Sequence, residues 1–325
     1  MTGPADGAPA RAEASGDAPP HFSQRIIHYL GLAAFVLSGL FFVAALAMHW
    51  SAIGPLIADS RLLALLCVLA AFGQLGFILA AAAFHRLLKG MGEPSHFGSA
   101  LSILMVSQFT KYLPGNVVHH AGRLVMSRNA GLSPAPVGVA ILIELAGSAL
   151  AATLVAIAFA SIRSSELPEL YGLVHFSPAA ALLPAILLGA IAVAIAFAAW
   201  KWPDYLRALT APRAADLVVA FGCYLLNVAL MGAIFTAIAH QVAPHAEADY
   251  FFLTAAVATA WTLGLITPGA PGGLGVREAV LLALVAPVTG TEAALLAALG
   301  LRIATTLTDA IGFGLGLCLR RLVRA

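Results

Sequence analysis

Two short stretches of this chain repeat a combination of residues that could bind an anion. Residues 113–123 read Leu-Pro-Gly-Asn-Val-Val-His-His-Ala-Gly-Arg, and residues 267–277 read Thr-Pro-Gly-Ala-Pro-Gly-Gly-Leu-Gly-Val-Arg. In both, an arginine follows nine residues after the proline of a Pro-Gly pair, and the two copies lie 154 residues apart. A guanidinium group presents a fork of donors that fits phosphate oxygens. The free N–H groups at a helix start also favour an anion. The two stretches therefore predict binding of a phosphate-sized anionic head group.

The elements that position these residues must be broken helices. Proline removes a backbone donor, and glycine tolerates the conformations of a sharp reversal. Apolar sequence flanks both breaks, and irregular backbone at membrane depth is tolerated only inside protein or beside a water-filled cavity. A proline kink with an arginine that reaches the interface would explain either copy alone, but the duplication favours a functional site. The residues predicted to bind the substrate are Arg123, Arg277, Lys111, Pro114, Gly115, Pro268, Gly269, Gly272 and Gly273.

The composition is that of a membrane protein. Apolar residues make up 61% of the chain and charged residues 10%, with a mean hydropathy of +0.94. Soluble domains carry about 25% charged residues. We therefore predict an all-α polytopic membrane protein. No nucleic-acid partner and no cofactor are expected. A metal site is not expected, because the adjacent His119 and His120 diverge on a helix and no second ligand pair is suitably spaced.

The apolar segments predict about six transmembrane helices and two re-entrant helical hairpins, or eight spans if each hairpin is counted as one. A span requires about 20 apolar residues. Residues 1–24 are expected to be a disordered cytoplasmic tail, and 25–325 a single membrane domain. The predicted hairpins are 96–126 and 250–288. The predicted crossings are 27–48, 62–84, 135–160, 178–200, 214–240 and 291–319.

The distribution of lysine and arginine orients this arrangement. If both hairpins return to the side from which they enter, thirteen basic residues lie on the side of the N-terminus, and only Arg61 and Arg163 lie on the other. Basic residues favour the cytoplasmic side. Both termini are therefore predicted to be cytoplasmic.

The same layout predicts that the chain is an inverted repeat. The first hairpin would enter from the cytoplasm and the second from the opposite side, so that repeat one covers about 25–175 and repeat two about 176–320. Gln74 and Asn227, 153 residues apart, lie at matching positions. Inverted repeats are typical of transporters that expose a central site alternately to the two sides of the membrane.

Charged residues inside apolar helices need partners. An arginine near the bilayer centre costs about 2.5–3.5 kcal/mol on insertion scales. The candidates for supporting or coupling roles are Glu144, Glu278, Arg302 and Asp309. They are either internal partners of the hairpins or participants in proton coupling or head-group binding, and the sequence leaves both interpretations open. Glu278 cannot simply pair with Arg277, because adjacent helical residues point in different directions. Gly312 and Gly316 predict close helix packing.

The two stretches resemble the family named for the transmembrane region of lysylphosphatidylglycerol synthase, also described as flippase-like membrane proteins. The resemblance rests on two motifs. The first is Lys-Tyr-Leu-Pro-Gly-Asn-Val followed by Gly-Arg at 111–123, and the second is Pro-Gly-Ala-Pro-Gly-Gly-Leu-Gly-Val-Arg-Glu-Ala at 268–279. It implies a multi-pass protein of the bacterial inner membrane that is connected with lipid translocation. The synthases carry a soluble aminoacyl-transferase domain after the membrane unit, whereas this chain ends at Ala325. We therefore expect the membrane unit only, without aminoacylation activity.

The favoured function is movement of an anionic or phosphate-bearing lipid across the membrane by alternating access. The alternative is an accessory protein that does not transport but presents a lipid to a glycosyltransferase or a lipid-modifying enzyme. An enzyme acting on a lipid phosphate is not expected, because no nucleophile and base have a recognisable spacing, and no catalytic residue is assigned.

Overall fold

The structure is a computed structural model. It describes residues 59–112, 118–162, 211–246, 248–267 and 273–324, together with Ala47. Several predicted features lie outside the described residues: the tail 1–24, the crossing 27–48 apart from Ala47, the crossing 178–200, and the site residues Pro114, Gly115, Pro268, Gly269 and Gly272.

Every regular element in the described part of the chain is a helix. The first half contains α1 (Ser60–Phe72), α2 (Gln74–Gly90), α3 (Phe97–Gln108), a 3-10 turn (Phe109–Tyr112), α4 (Val118–Asn129) and α5 (Pro134–Ile162). The second half contains α6 (Ala214–Val242), α7 (Tyr250–Ile266), α8 (Val276–Thr289) and α9 (Thr291–Arg324).

Four segments of the described chain are long and apolar enough to cross a membrane. They correspond to the crossings that the sequence predicts at 62–84, 135–160, 214–240 and 291–319, and two shorter apolar helices fall in the predicted hairpins. The prediction of an all-helical, multi-pass membrane protein is therefore confirmed. The four segments are Ser60–Gly90, Pro134–Phe159, Ala214–Val242 and Thr291–Leu322.

The first of these segments is divided at Gly73, where α1 ends and α2 begins. Gln74 Nε2 donates hydrogen bonds to the carbonyl oxygens of Ala70 (3.3 Å) and Thr308 (2.8 Å). The Thr308 hydroxyl also donates to Ala70 O at 3.1 Å. Polar groups therefore join the end of α1 to α9, where lipid could not satisfy them.

The two halves interlock through their short helices. α3, in the first hairpin, packs along α9, and α7, in the second hairpin, packs along α5. Between them α2 packs along α6. One helix of each predicted hairpin thus lies against the last long helix of the other half.

Close packing of α9 depends on its glycines. A Cβ at Gly312 would lie 2.7 Å from a ring carbon of Phe77, and one at Gly316 would lie 2.8 Å from Met105 Cβ. Ser102 Oγ donates to Gly316 O at 3.0 Å. The prediction that these glycines mark close helix packing is confirmed.

Candidate functional site

The first hairpin contributes a lysine that is ion-paired to the last helix. Lys111 lies in the 3-10 turn just before the first Pro-Gly pair. Its Nζ is 2.6 Å from Asp309 Oδ2 on α9, and Asp309 is only 4% exposed. Since Lys111 belongs to the first half and Asp309 to the second, this ion pair connects the two halves.

Glu278 fixes the start of α8 and also holds a cation. Its Oε2 accepts a hydrogen bond from the backbone N–H of Gly275 at 2.8 Å, which completes the first turn of the helix. Gly275 has φ +81°, a conformation that glycine adopts without the penalty of a Cβ. The other oxygen, Oε1, is 3.5 Å from Arg302 Nε on α9. One buried carboxylate therefore positions both the helix start and Arg302.

Arg277 lies next to Glu278 in the chain but in different surroundings. Its guanidinium carbon is 5.8 Å from the ring centroid of Trp261 on α7, within the range of a cation–π interaction. A Cβ at Gly264 would lie 2.6 Å from Arg277 Cγ, and one at Gly273 would lie 2.5 Å from its Nε. The two glycines leave the space that the arginine side chain occupies.

These contacts bring five charged residues together where the 3-10 turn and α8 meet α9. Arg277 and Arg302 are both close enough to Lys111 to act electrostatically on its charge. We call this group the cationic cluster: Lys111, Arg277, Arg302, Asp309 and Glu278. It contains three cations and two carboxylates.

Arg123 forms a second, more enclosed charged site. It is 2% exposed, and its Nη1 is 2.7 Å from Glu144 Oε2 on α5. Its guanidinium carbon is 5.5 Å from the Phe84 ring centroid on α2. Its buried Nε has no hydrogen-bond partner among the described residues. His119, one helical turn before Arg123, is near enough to both Arg123 and Lys111 to feel their charges, so the two sites are neighbours.

The structure thus divides the predicted site residues into two groups. The first group is the cationic cluster, with Gly273 against Arg277. The second is the ion pair of Arg123 and Glu144.

Sequence reasoning missed three residues that shape these sites. Phe84 and Trp261 cover the two arginines, and Gly264 makes room for Arg277. The one available signal was Trp261, a large aromatic residue in the apolar arm of the second hairpin.

Long apolar helices that contain buried, mutually paired charges define a multi-pass helical membrane protein. The chain belongs to the lysylphosphatidylglycerol synthase TM region family, whose model matches residues 30–312. The resemblance predicted from the two Pro-Gly stretches is therefore confirmed, and it concerns the membrane region of that family. A search of curated proteins finds none that matches this chain.

Proposed function

We propose that this protein is a flippase-like lipid transporter that moves an anionic or phosphate-bearing lipid across the bacterial cytoplasmic membrane. The observation that carries the proposal is the cationic cluster. It places Lys111, Arg277 and Arg302 together with the carboxylates of Asp309 and Glu278 where the 3-10 turn and α8 meet α9. Charged side chains among membrane helices are costly and mark substrate or ion pathways, and three cationic side chains at one place suit an anionic ligand.

The donors in the cluster suit a phosphate. Arginine offers planar pairs of N–H donors and lysine a compact charge, and both are typical phosphate ligands. The ring of Trp261 contacts the Arg277 guanidinium, and Gly264 and Gly273 leave room for the rest of that side chain, so its position is defined. The acyl or prenyl chains of the ligand would remain in the surrounding lipid while its head group entered the cluster.

The packing of the helices supports an inverted repeat, which the transport mechanism requires. The equivalent helices of the two halves would be α2 and α6, α3 and α7, and α5 and α9. The contact between α3 and α9 then corresponds to the contact between α7 and α5. In the same way, the contact between α2 and α3 corresponds to the contact between α6 and α7, and α2 and α6 contact each other. Two such halves could rock against each other around a site near the membrane midplane.

The unlike surroundings of the two arginines fit a mechanism of alternating access. Arg277 would meet the head group in the conformation described here, while Arg123 is closed off by Glu144 and Phe84. Rocking of the halves would open Arg123 and close Arg277. A ligand shifts a conformational equilibrium only when its affinities for the conformations differ. The head group must therefore bind the intermediate conformation more tightly, or its movement must be coupled to that of another species.

The test is translocation of a fluorescent phosphatidylglycerol in proteoliposomes. We compare the wild type with Arg277→Gln, and use Arg128→Gln as a matched control because Arg128 is exposed on α4. The proposal predicts transport by the wild type and by Arg128→Gln, and its loss in Arg277→Gln.

Two results would contradict the proposal. Unchanged transport in a folded Arg277→Gln variant would exclude the cationic cluster as the head-group site. Binding of phosphatidylglycerol by the wild type without translocation would exclude transport of this lipid and favour the accessory function. The non-enzymatic nature of the protein is part of the proposal, and recovery of chemically unchanged lipid after the assay tests it.

A further inference from the structure

Buried polar groups without hydrogen-bond partners gather around Arg123. Its own Nε is one, and the others are the hydroxyls of Ser127 and Tyr224; none of the three atoms has a partner among the described residues. The exposed fractions of Arg123, Ser127 and Tyr224 are 2%, 0% and 3%. Buried polar groups are nearly always hydrogen-bonded, so three exceptions around one arginine need a physical reason.

Three helices from both halves of the chain bring these groups together. Ser127 lies one turn after Arg123 on α4, and residues four apart on a helix are neighbours. Glu144, the ion-pair partner of Arg123, lies on α5. The Tyr224 ring on α6 packs one turn further along α5, since a Cβ at Gly147 would lie 2.6 Å from Tyr224 Cε2. Tyr224 is close enough to Glu144 and Arg123 to feel both charges. A residue of the second half thus reaches the charged pair of the first.

This arrangement is costly in the conformation described here. A hydroxyl that is removed from water without gaining a hydrogen bond raises the free energy of the folded state. Glu144 satisfies Nη1 of Arg123 but leaves its Nε without a partner. Because Tyr224 belongs to one half and Arg123 and Ser127 to the other, movement of the halves would change the separation of these donors. A ligand that enters between the halves could then satisfy all three.

A phosphate oxygen is the acceptor that these donors suit. The Nε of Arg123 and the two hydroxyls can each donate one hydrogen bond. The oxygens of a phosphate accept several hydrogen bonds at once, and those from a guanidinium are strengthened by charge. The same chemistry is expected of a lipid head group that leaves the cationic cluster and meets Arg123.

We propose that Ser127 and Tyr224 bind the head-group phosphate together with Arg123 in the opposite conformation of the transporter. This inference rests on the proposed transport function and completes its second head-group site. Binding uses hydrogen bonds and charge alone, and no covalent bond changes. The unpaired donors raise the free energy of the conformation in which Arg123 is closed, so they also favour its opening.

The experiment compares two properties of the full-length protein: translocation of fluorescent phosphatidylglycerol in proteoliposomes and the midpoint of thermal unfolding in detergent. Tyr224→Phe and Ser127→Ala each remove one unpaired hydroxyl and little else. The midpoint should rise in both variants, because the cost of burying that hydroxyl disappears. The rate of transport should nevertheless fall by about tenfold for each hydroxyl, because a hydrogen bond to a charged group is lost.

Two variants serve as matched controls. The buried hydroxyl of Thr236 also has no partner among the described residues, but it lies twelve residues after Tyr224 on α6, about 18 Å along the helix. Thr236→Val should therefore raise the midpoint and leave transport unchanged. The Tyr250 hydroxyl donates to Ala229 O at 2.8 Å, so Tyr250→Phe should lower the midpoint and leave transport unchanged.

The outcomes separate this inference from the proposed function. A lower midpoint in Tyr224→Phe would show that its hydroxyl has a partner and would overturn the inference. Unchanged transport in folded Tyr224→Phe or Ser127→Ala would also overturn it and leave the transport proposal standing. An equal loss of transport in Thr236→Val would assign the loss to stabilisation alone, with the same consequence for the inference. Failure of the wild type to translocate the probe would overturn both.

Discussion

Arg123 and Arg277 follow their Pro-Gly pairs by the same nine residues, yet they are stabilised in different ways. Arg123 is paired with a carboxylate, whereas Arg277 lies over an aromatic ring between two glycines. The sequence predicted that both arginines need partners, because an unpaired charge in a membrane is costly. It could not assign Glu144 to Arg123, since the pairing depends on how α4 packs against α5.

The first residue-scale prediction concerns the pair of Arg123 and Glu144. Glu144→Gln leaves a buried guanidinium without its counter-charge, so the free energy of unfolding should fall by about 3–5 kcal/mol. Combining it with Arg123→Gln should recover part of that loss. Thermal unfolding of the purified variants in detergent measures both effects. Strictly additive losses in the double variant would show that the two side chains do not interact.

The second residue-scale prediction concerns Gly264. Gly264→Ala places a methyl group where the Arg277 side chain lies, and that flexible side chain should move away. Binding of phosphatidylglycerol should weaken by about 10- to 100-fold, because a charged hydrogen bond contributes about 1.5–3 kcal/mol. Thermal stability should hardly change. Gly222→Ala on α6 is the control, since a Cβ there meets no atom within 4 Å; equal affinities for the two variants would contradict the assignment of Arg277.

At the scale of elements, long apolar segments were the most predictable feature. The predicted crossing at 135–160 is α5 at Pro134–Ile162, and that at 214–240 is α6 at Ala214–Val242. The division of the first described segment at Gly73 was not predicted, because a single glycine in an apolar run does not reveal the α9 contacts made there. The insertion of the hairpins into the membrane and their direction stay predictions.

The element-scale prediction tests the packing of α9 against α3. Gly316→Ala would place a Cβ 2.8 Å from Met105 Cβ and 3.3 Å from the backbone nitrogen of Val106. Overpacking of this kind costs about 1–3 kcal/mol, so the midpoint of thermal unfolding should fall. Gly314→Ala on the same helix meets nothing within 4 Å and should keep or slightly raise that midpoint. A fall of the same size in both variants would point to helix backbone effects rather than packing.

At the scale of the whole molecule, alternating access depends on movement of one half against the other. The sequence supplied the idea of two halves through the repeated Pro-Gly and arginine spacing. It did not show that α3 lies against α9 and α7 against α5, since such contacts join residues far apart in the chain. Lys111, which follows α3, lies beside Asp309 of the second half, whereas Arg123 pairs with Glu144 within the first half.

A reversible disulfide between the halves tests this movement most directly. A Cβ at Gly73 would lie 2.5 Å from Thr308 Oγ1 and 2.9 Å from its Cγ2, so cysteines at both positions should be near enough to form a disulfide. Both positions lie outside the cationic cluster. The native cysteines Cys67, Cys223 and Cys318 would first be replaced by alanine, and the single variants Gly73→Cys and Thr308→Cys serve as controls.

The measurement is translocation of fluorescent phosphatidylglycerol by the Gly73→Cys/Thr308→Cys protein in proteoliposomes, with formation of the disulfide verified by mass spectrometry. We predict that oxidation stops transport, that a reductant restores it, and that oxidation leaves the single variants unchanged. Undiminished transport by the fully oxidised double variant would contradict alternating access by the two halves.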